Sequence, residues 1–509
     1  MRARVAVRLL VSILLTSASG SIARAEAVRI ESGWIEGVAS GVPGVQVFAG
    51  VPYARPPLGA LRWCPPQPPA AWSGVRSADR VGPCCQQVHW SAPPWTAEFV
   101  TQEPTSEDCL TLNLWMADRG PREGGKRPVL VWLHGGALTG GSGAVAVYDG
   151  AELARRGLVV VTINYRLSAL GFLAHPGLSA ESRARVSGNY GLLDCIAALR
   201  WVRRNVAAFG GDPDRVTLAG QSSGAMLAGA LLHSPPARGL FHRVILMSGG
   251  TVDGFQPLAA AEAAGAAWAR SQRDSSLAAL RALPASATLP GGRFGPVADG
   301  WCLPAERPLG PGSDVPILFG MTSDEDSSEP GYGKATAAEF VAFVRSSLDT
   351  LADEALRLYP VADDREAALA QKRSMRDRGL FGLLVWARAR AASCHGPMFA
   401  YCFTRATPWP EHPEFGAFHT SDAPYAFANL RKLPRPWEDS DRRLSETLAA
   451  YWVQFARTGD PNGPGLPPWP AFDAQQARMM ELGSTVGSRA MLEPRYVEFF
   501  ERCMAAAAR

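Results

Sequence analysis

Between residues 128 and 250, short runs that are apolar throughout alternate with longer stretches whose apolar residues are spaced for a helix. RPVLVWLHGG is a strand pattern that breaks into a glycine-rich loop, and LVVVTINYRL (158–167) is a second apolar strand. SGNYGLLDCIAALRWVRRNVAAFGG (187–211) has helical spacing and stops at paired glycines; RVTLAG and RVILMSG (243–249) are further short strands with a helix between them. Strands without polar faces, joined by helices, predict a largely parallel sheet covered on both sides. Such sheets bind ligands where the carboxyl ends of the strands meet loops. Residues 257–400 carry mainly helical patterns and one strand, VPILFGM at 315–321, and read as helical excursions over that sheet. The chain then returns to short apolar runs such as PMFAYCF, followed by a helix around SETLAAYWVQFA.

Composition narrows the class. With 509 residues, 47% hydrophobic and 19% charged, the chain buries a large core, and large α/β enzymes reach this size as one domain. A net charge of +4 is spread thinly, the cations are nearly all arginine, and no basic stripe gathers them, so a nucleic-acid partner is not expected. At the N-terminus, MRARVAVR supplies positive charge, LLVSILLTSASGSI an apolar stretch and Ala23–Arg24–Ala25 a small-residue cleavage site. These predict an export signal over 1–25, cut after Ala25 or Ala27, and a periplasmic or secreted protein over 26–509. Nothing later approaches a transmembrane length. Nine cysteines suit an oxidising compartment, although an odd number leaves at least one unpaired. No Cys or His spacing suggests a metal, and no cofactor is implied.

The stretch VTLAGQSSGAM (216–226) places two serines at a strand-to-helix junction. Only Ser222 has glycine two residues away on both sides, Gly220 and Gly224, the pattern of a nucleophile elbow. A tight turn without chemistry gives the same pattern. A serine nucleophile needs a base, and the base needs an orienting acid. Of eight histidines, His419 lies late in the chain in a polar turn, FGAFHTSDAPYAF, which suits a Ser…acid…His order. His134 reads as shaping its loop. The segment after the 315–321 strand offers Asp324, Glu325, Asp326 and Glu329, and periodicity does not choose among them. HGGAL (134–138) reads either as an ordinary strand-end turn or as a loop with two amides for an oxyanion, and the residue after the nucleophile, Ser223, would then add a third.

Taken together, these segments resemble the type B carboxylesterase family, which includes cholinesterases and many bacterial esterases. FAGVPYARPPLGALRW (48–63), SEDCLTLNLW (106–115), VWLHGGALTGGS (131–142), NYRLSALGFL (164–173), GNYGLLD (188–194), AGQSSGA, the SDED loop, FHTSDAPYAF (418–427) and FARTGDPN (455–462) carry the resemblance. It implies an α/β-hydrolase fold and hydrolysis of small carboxylic esters, with water, through an acyl-enzyme. It implies Ser222 as nucleophile, Glu325 as acid, His419 as general base and acid, and an oxyanion hole from the amides of Gly136, Ala137 and Ser223. It also implies a Cys85–Cys109 disulfide and ion pairs Arg62–Glu107 and Arg166–Asp194. Cys64 and Cys84 are then available for a second bridge, or Cys84 competes for Cys109. Three departures stand out: Ala137 and Asp326 replace frequent glycines, and Ser223 stands where alanine is common, a change of little expected consequence. An amidase or acyltransferase with the same triad, or an inactive binding module on this fold, are the rival readings.

Overall fold

A computed structural model describes residues 26–118, 125–251, 254–289, 291–306 and 312–507. The proposed export signal, 1–25, lies outside the described residues. The centre is an eleven-stranded sheet. Its strands are β1 (Val38–Ala39), β2 (Val45–Pro52), β3 (Thr111–Ala117), β4 (Arg127–Leu133), β5 (Val159–Ile163), β6 (Gly211–Gln221), β7 (Arg243–Met247), β8 (Ile317–Thr322), β9 (Met398–Phe403), β10 (Arg478–Leu482) and β11 (Val486–Ala490). Their spatial order is β11-β10-β9-β8-β7-β6-β4-β5-β3-β2-β1. From β5 to β10 every neighbouring pair is parallel, and the antiparallel pairs lie toward the two edges.

The continuous apolar runs follow from burial on both faces. Along β4, Val129, Val131 and Leu133 enter one core while Leu130 and Trp132 enter the other. Val216 and Leu218 of β6 join the first core, and Ala219 the second. The faces are covered by α1 (Tyr190–Asn205), α2 (Ser223–Leu232) and α6 (Asp439–Thr458), among others. The helical middle supplies α3 (Leu258–Arg270), α4 (Ala337–Leu348) and the long α5 (Asp364–Ala391). Phe340, Val344, Tyr359, Tyr496 and Phe499 form a separate small core among these excursions.

The sequence pattern and the structure differ at boundaries for local reasons. Strand β6 starts at Gly211, ahead of the RVTLAG run, because the polar Asp212–Pro213–Asp214 segment hides its beginning from a hydrophobicity reading. Strand β8 begins at Ile317, after Pro316, which has no N–H to offer a ladder. The N-terminal antiparallel strands are short or interrupted, as at Gly50, and gave no periodic signal of their own. Among the described residues no helix is long and apolar enough to cross a membrane.

Cys85 and Cys109 are bonded, tying the loop between them to the start of β3. Cys64 and Cys84 form no second bridge. Neighbours in an extended segment point to opposite sides, so with Cys85 turned toward Cys109 the Cys84 thiol faces away, donating to the Glu103 carbonyl at 3.3 Å. Cys64 donates instead to the carbonyl of Ala60. Arg166, just beyond β5, grips Asp194 of α1 with two bonds of 2.8 Å in a buried pair. Arg62 meets Glu107 through Nε at 2.8 Å and through a second, shorter contact.

Candidate active site

At the carboxyl end of β6 the chain turns sharply into α2, and Ser222 occupies the turn with φ 56° and ψ −125°. A positive φ is uncommon for a residue with a side chain, so the surroundings must hold it there. Its N–H donates to the carbonyl of Met247 at 2.9 Å, and its own carbonyl accepts from Met226. Both flanking glycines are required by space. A Cβ on Gly220 would lie 2.4 Å from the Gly224 carbonyl oxygen, and one on Gly224 would lie 2.1 Å from that of Leu133. Ser222 is half-buried and lines a cavity of about 400 Å³.

The second serine has a different use. Ser223 is buried, and its hydroxyl accepts the backbone N–H of Leu138 at 3.2 Å. Leu138 belongs to the glycine-rich loop after β4, where Gly136, Ala137 and Leu138 have φ of 118°, 55° and 60°. The Gly136 carbonyl accepts from both Thr139 and Gly140, and a Cβ on Gly136 would lie 2.2 Å from the Gly140 oxygen. Gln87, two residues past the disulfide, braces the same loop by two bonds to Gly141. Below it His134 is buried and stacked on Tyr165, and burial lowers its pKa to about 4, so it stays neutral. Among the described residues, the amides of Gly136, Ala137 and Ser223 donate to no protein acceptor, and the first two residues and Ser222 line the same cavity. The Ser223 amide is also one of the free donors at the start of α2.

Of the four acidic candidates after β8, Glu325 meets His419, through a short contact to Nδ1. Its other oxygen accepts from Ser248 Oγ at 2.5 Å and from the Thr322 amide at 2.7 Å. Burial pushes the Glu325 carboxyl up, but the charge and hydrogen bonds of His419, Ser248 and Thr322 outweigh it and hold it below the usual range. Burial likewise pushes His419 down, and Glu325, with Asp422 and Asp326, outweighs that and raises it. Asp324 serves the frame instead: it accepts from Tyr332 and from the Ala417 amide, fastening the acid loop to the segment carrying His419. His419 Nε2 faces the side-chain amide of Gln221 at 3.1 Å. Among the described residues no hydrogen bond joins Ser222 to His419, although both line the cavity.

Ser248, Gln87 and the hydroxyl of Ser223 carry no sequence signal for these contacts, because each acts across more than 50 residues and belongs to no local pattern. The remaining cavity wall is Val88, Trp90, Trp95, Phe99, Val100 and Tyr148, among others. Trp95 stands edge-on to both Trp90 and His419 and donates to Thr420.

The model of the carboxylesterase family matches residues 24–500. A fumonisin B1 esterase of Sphingopyxis macrogoltabida is 37% identical over 490 residues, covering 90% of this chain and 86% of that protein. A para-nitrobenzyl esterase of Bacillus subtilis is 34% identical, covering 87% and 92%. A human cocaine esterase is 32% identical, covering 91% and 88%. The chain belongs to the carboxylesterase family and is a carboxylic ester hydrolase of the α/β-hydrolase fold.

Proposed function

We propose that Ser222, His419 and Glu325 are the catalytic triad of this esterase, and that the amides of Gly136, Ala137 and Ser223 form its oxyanion hole. The observation that carries the reading is the Glu325–His419 contact at the rim of the cavity that also holds the strained Ser222. Serine alone is a weak nucleophile. As Ser222 Oγ attacks the ester carbonyl carbon, its proton passes to His419 Nε2, and the carbonyl electron pair moves onto oxygen. Three fixed amides stabilise that oxyanion without having to reorganise. Collapse breaks the bond to the alcohol, which leaves with the proton from His419. Water then repeats the sequence on the acyl-enzyme and releases the acid. Glu325 holds the imidazole in the right tautomer and stabilises its charged form.

The cavity favours uncharged apolar or aromatic esters. Its walls include tryptophan, phenylalanine, valine and tyrosine, and among the described residues no Asp, Glu, Lys or Arg side chain lines it. The relatives' names (fumonisin B1, para-nitrobenzyl and cocaine esterase) span different esters, and a hydrolysis panel of neutral aryl esters against charged esters of equal size tests the preference. Preferred cleavage of charged members contradicts it. We also propose export, supported by the basic–apolar–small pattern of 1–25 and by the Cys85–Cys109 disulfide. N-terminal sequencing of the mature protein tests it, with a start at residue 26 or 28 expected and an intact Met1 contradicting.

A further inference from the structure

Both ring nitrogens of His419 are engaged. Nδ1 meets the Glu325 carboxylate, which only accepts, so in the neutral ring Nδ1 carries the proton and Nε2 presents a lone pair. The Gln221 side-chain nitrogen lies 3.1 Å from Nε2, and an amide N–H there donates into that lone pair. This is the lone pair that must take the Ser222 proton. Gln221 is the last residue of β6 and is buried, and its side-chain oxygen packs over Gly135, where a Cβ would come within 2.6 Å of it. The glycine therefore makes the room that the carboxamide occupies.

Resting on the triad reading above, we propose that Gln221 is a positioning residue whose carboxamide donates to Nε2 of neutral His419 at rest and, by turning about its terminal torsion, accepts from Nε2–H once the proton of Ser222 has arrived. Gln221 neither gains nor loses a proton in this cycle; it exchanges its N–H donor for its carbonyl acceptor. The terminal amide torsion has a broad, roughly two-fold profile, so the exchange meets little intrinsic resistance. A carboxylate can only accept and a hydrocarbon can do neither, whereas an amide serves both protonation states.

The surroundings explain why a neutral donor is useful. Glu325 from the loop after β8, Asp326 beside it and Asp422 on the segment of His419 itself all favour the charged imidazole. Trp95, packed edge-on, contributes no charge. Gln221 adds an uncharged contact that donates to the neutral base at rest and accepts from the charged ring during the cycle.

The test compares Gln221→Glu and Gln221→Met with the unaltered enzyme on a small neutral ester. The readouts are the acid limb of kcat/KM and the NMR titration of the His419 ring in a Ser222→Ala background. Gln221→Glu adds a fixed acceptor and a negative charge, and moves the limb and the ring titration up by about one pH unit or more. Gln221→Met removes the donor without adding charge and moves both by less, with kcat lowered and KM for the small ester nearly unchanged. A kcat that Gln221→Met leaves unaltered in a folded protein, or a limb and a ring titration that stay at their original pH in folded Gln221→Glu, overturns the proposal. If Gln221→Glu does not fold, the kcat of Gln221→Met alone decides. Retention of turnover by Ser222→Ala, by contrast, overturns the triad reading itself, whatever the Gln221 variants do.

Discussion

The backbone N–H of Leu138 donates to the hydroxyl of Ser223, 85 positions further along the chain, at 3.2 Å. One serine of the pair thus supports the glycine-rich loop while its neighbour stands in the strained turn. The side chain of Ser223 is a brace between two segments that line the same cavity.

Replacing Ser223 by alanine leaves the Leu138 amide without its acceptor and loosens the loop that offers Gly136 and Ala137. A lost hydrogen bond of this kind costs about 1 kcal/mol, so kcat falls about 5-fold with KM little changed. Steady-state kinetics with one neutral ester check this. An unaltered kcat would mean that the loop holds its shape without the hydroxyl.

Replacing Glu325 by glutamine keeps the shape but removes the charge that, in the proposed triad, orients His419 and fixes its tautomer. The expected loss in kcat is on the order of 10³- to 10⁴-fold, with the protein still folded and still binding substrate. Asp326→Asn, at an acid that lies outside the Glu325–His419 contact, should cost far less. Comparable losses at both positions would remove the distinction drawn between the two acids.

The pH dependence follows from the sign of the His419 shift. Burial lowers its pKa, Glu325, Asp422 and Asp326 outweigh burial, and the net shift is upward from 6.5. In the proposed triad only the neutral ring accepts a proton from Ser222, so kcat/KM is complete above the raised pKa and is lost as pH falls through it. The midpoint of the acid limb therefore lies above 6.5. A midpoint below that value, measured with a substrate whose chemistry limits turnover, contradicts the assignment.

The Arg166–Asp194 pair is buried, and Asp194 also accepts the Arg166 backbone N–H at 3.0 Å. Removing one partner leaves the other charge uncompensated, so Asp194→Ala should destabilise the fold by about 3–5 kcal/mol. Denaturant unfolding measures this, and a change below about 1 kcal/mol would show that solvent reaches the site.

The sequence was most readable where chemistry and backbone geometry share one short segment. Alternating apolar strands and helices between 128 and 250 marked the parallel part of the sheet, because burial on both faces leaves no polar alternation to confuse. Gly220 and Gly224 marked the turn, because close backbone approach forbids any Cβ at either position. The four acids after β8 were not separable by pattern. What distinguishes Glu325 is its reach to His419, 94 positions away, and to Ser248, and these are properties of the assembled loops. Gln221 was visible only as the residue before a serine, since its contact with His419 spans 198 positions.

Active-site labelling with a fluorophosphonate probe, followed by mapping of the modified peptide, tests the central claim most directly. The account predicts one adduct, on Ser222, absent in Ser222→Ala and retained in Ser223→Ala. An adduct that survives Ser222→Ala, or that maps to Ser223, would contradict it.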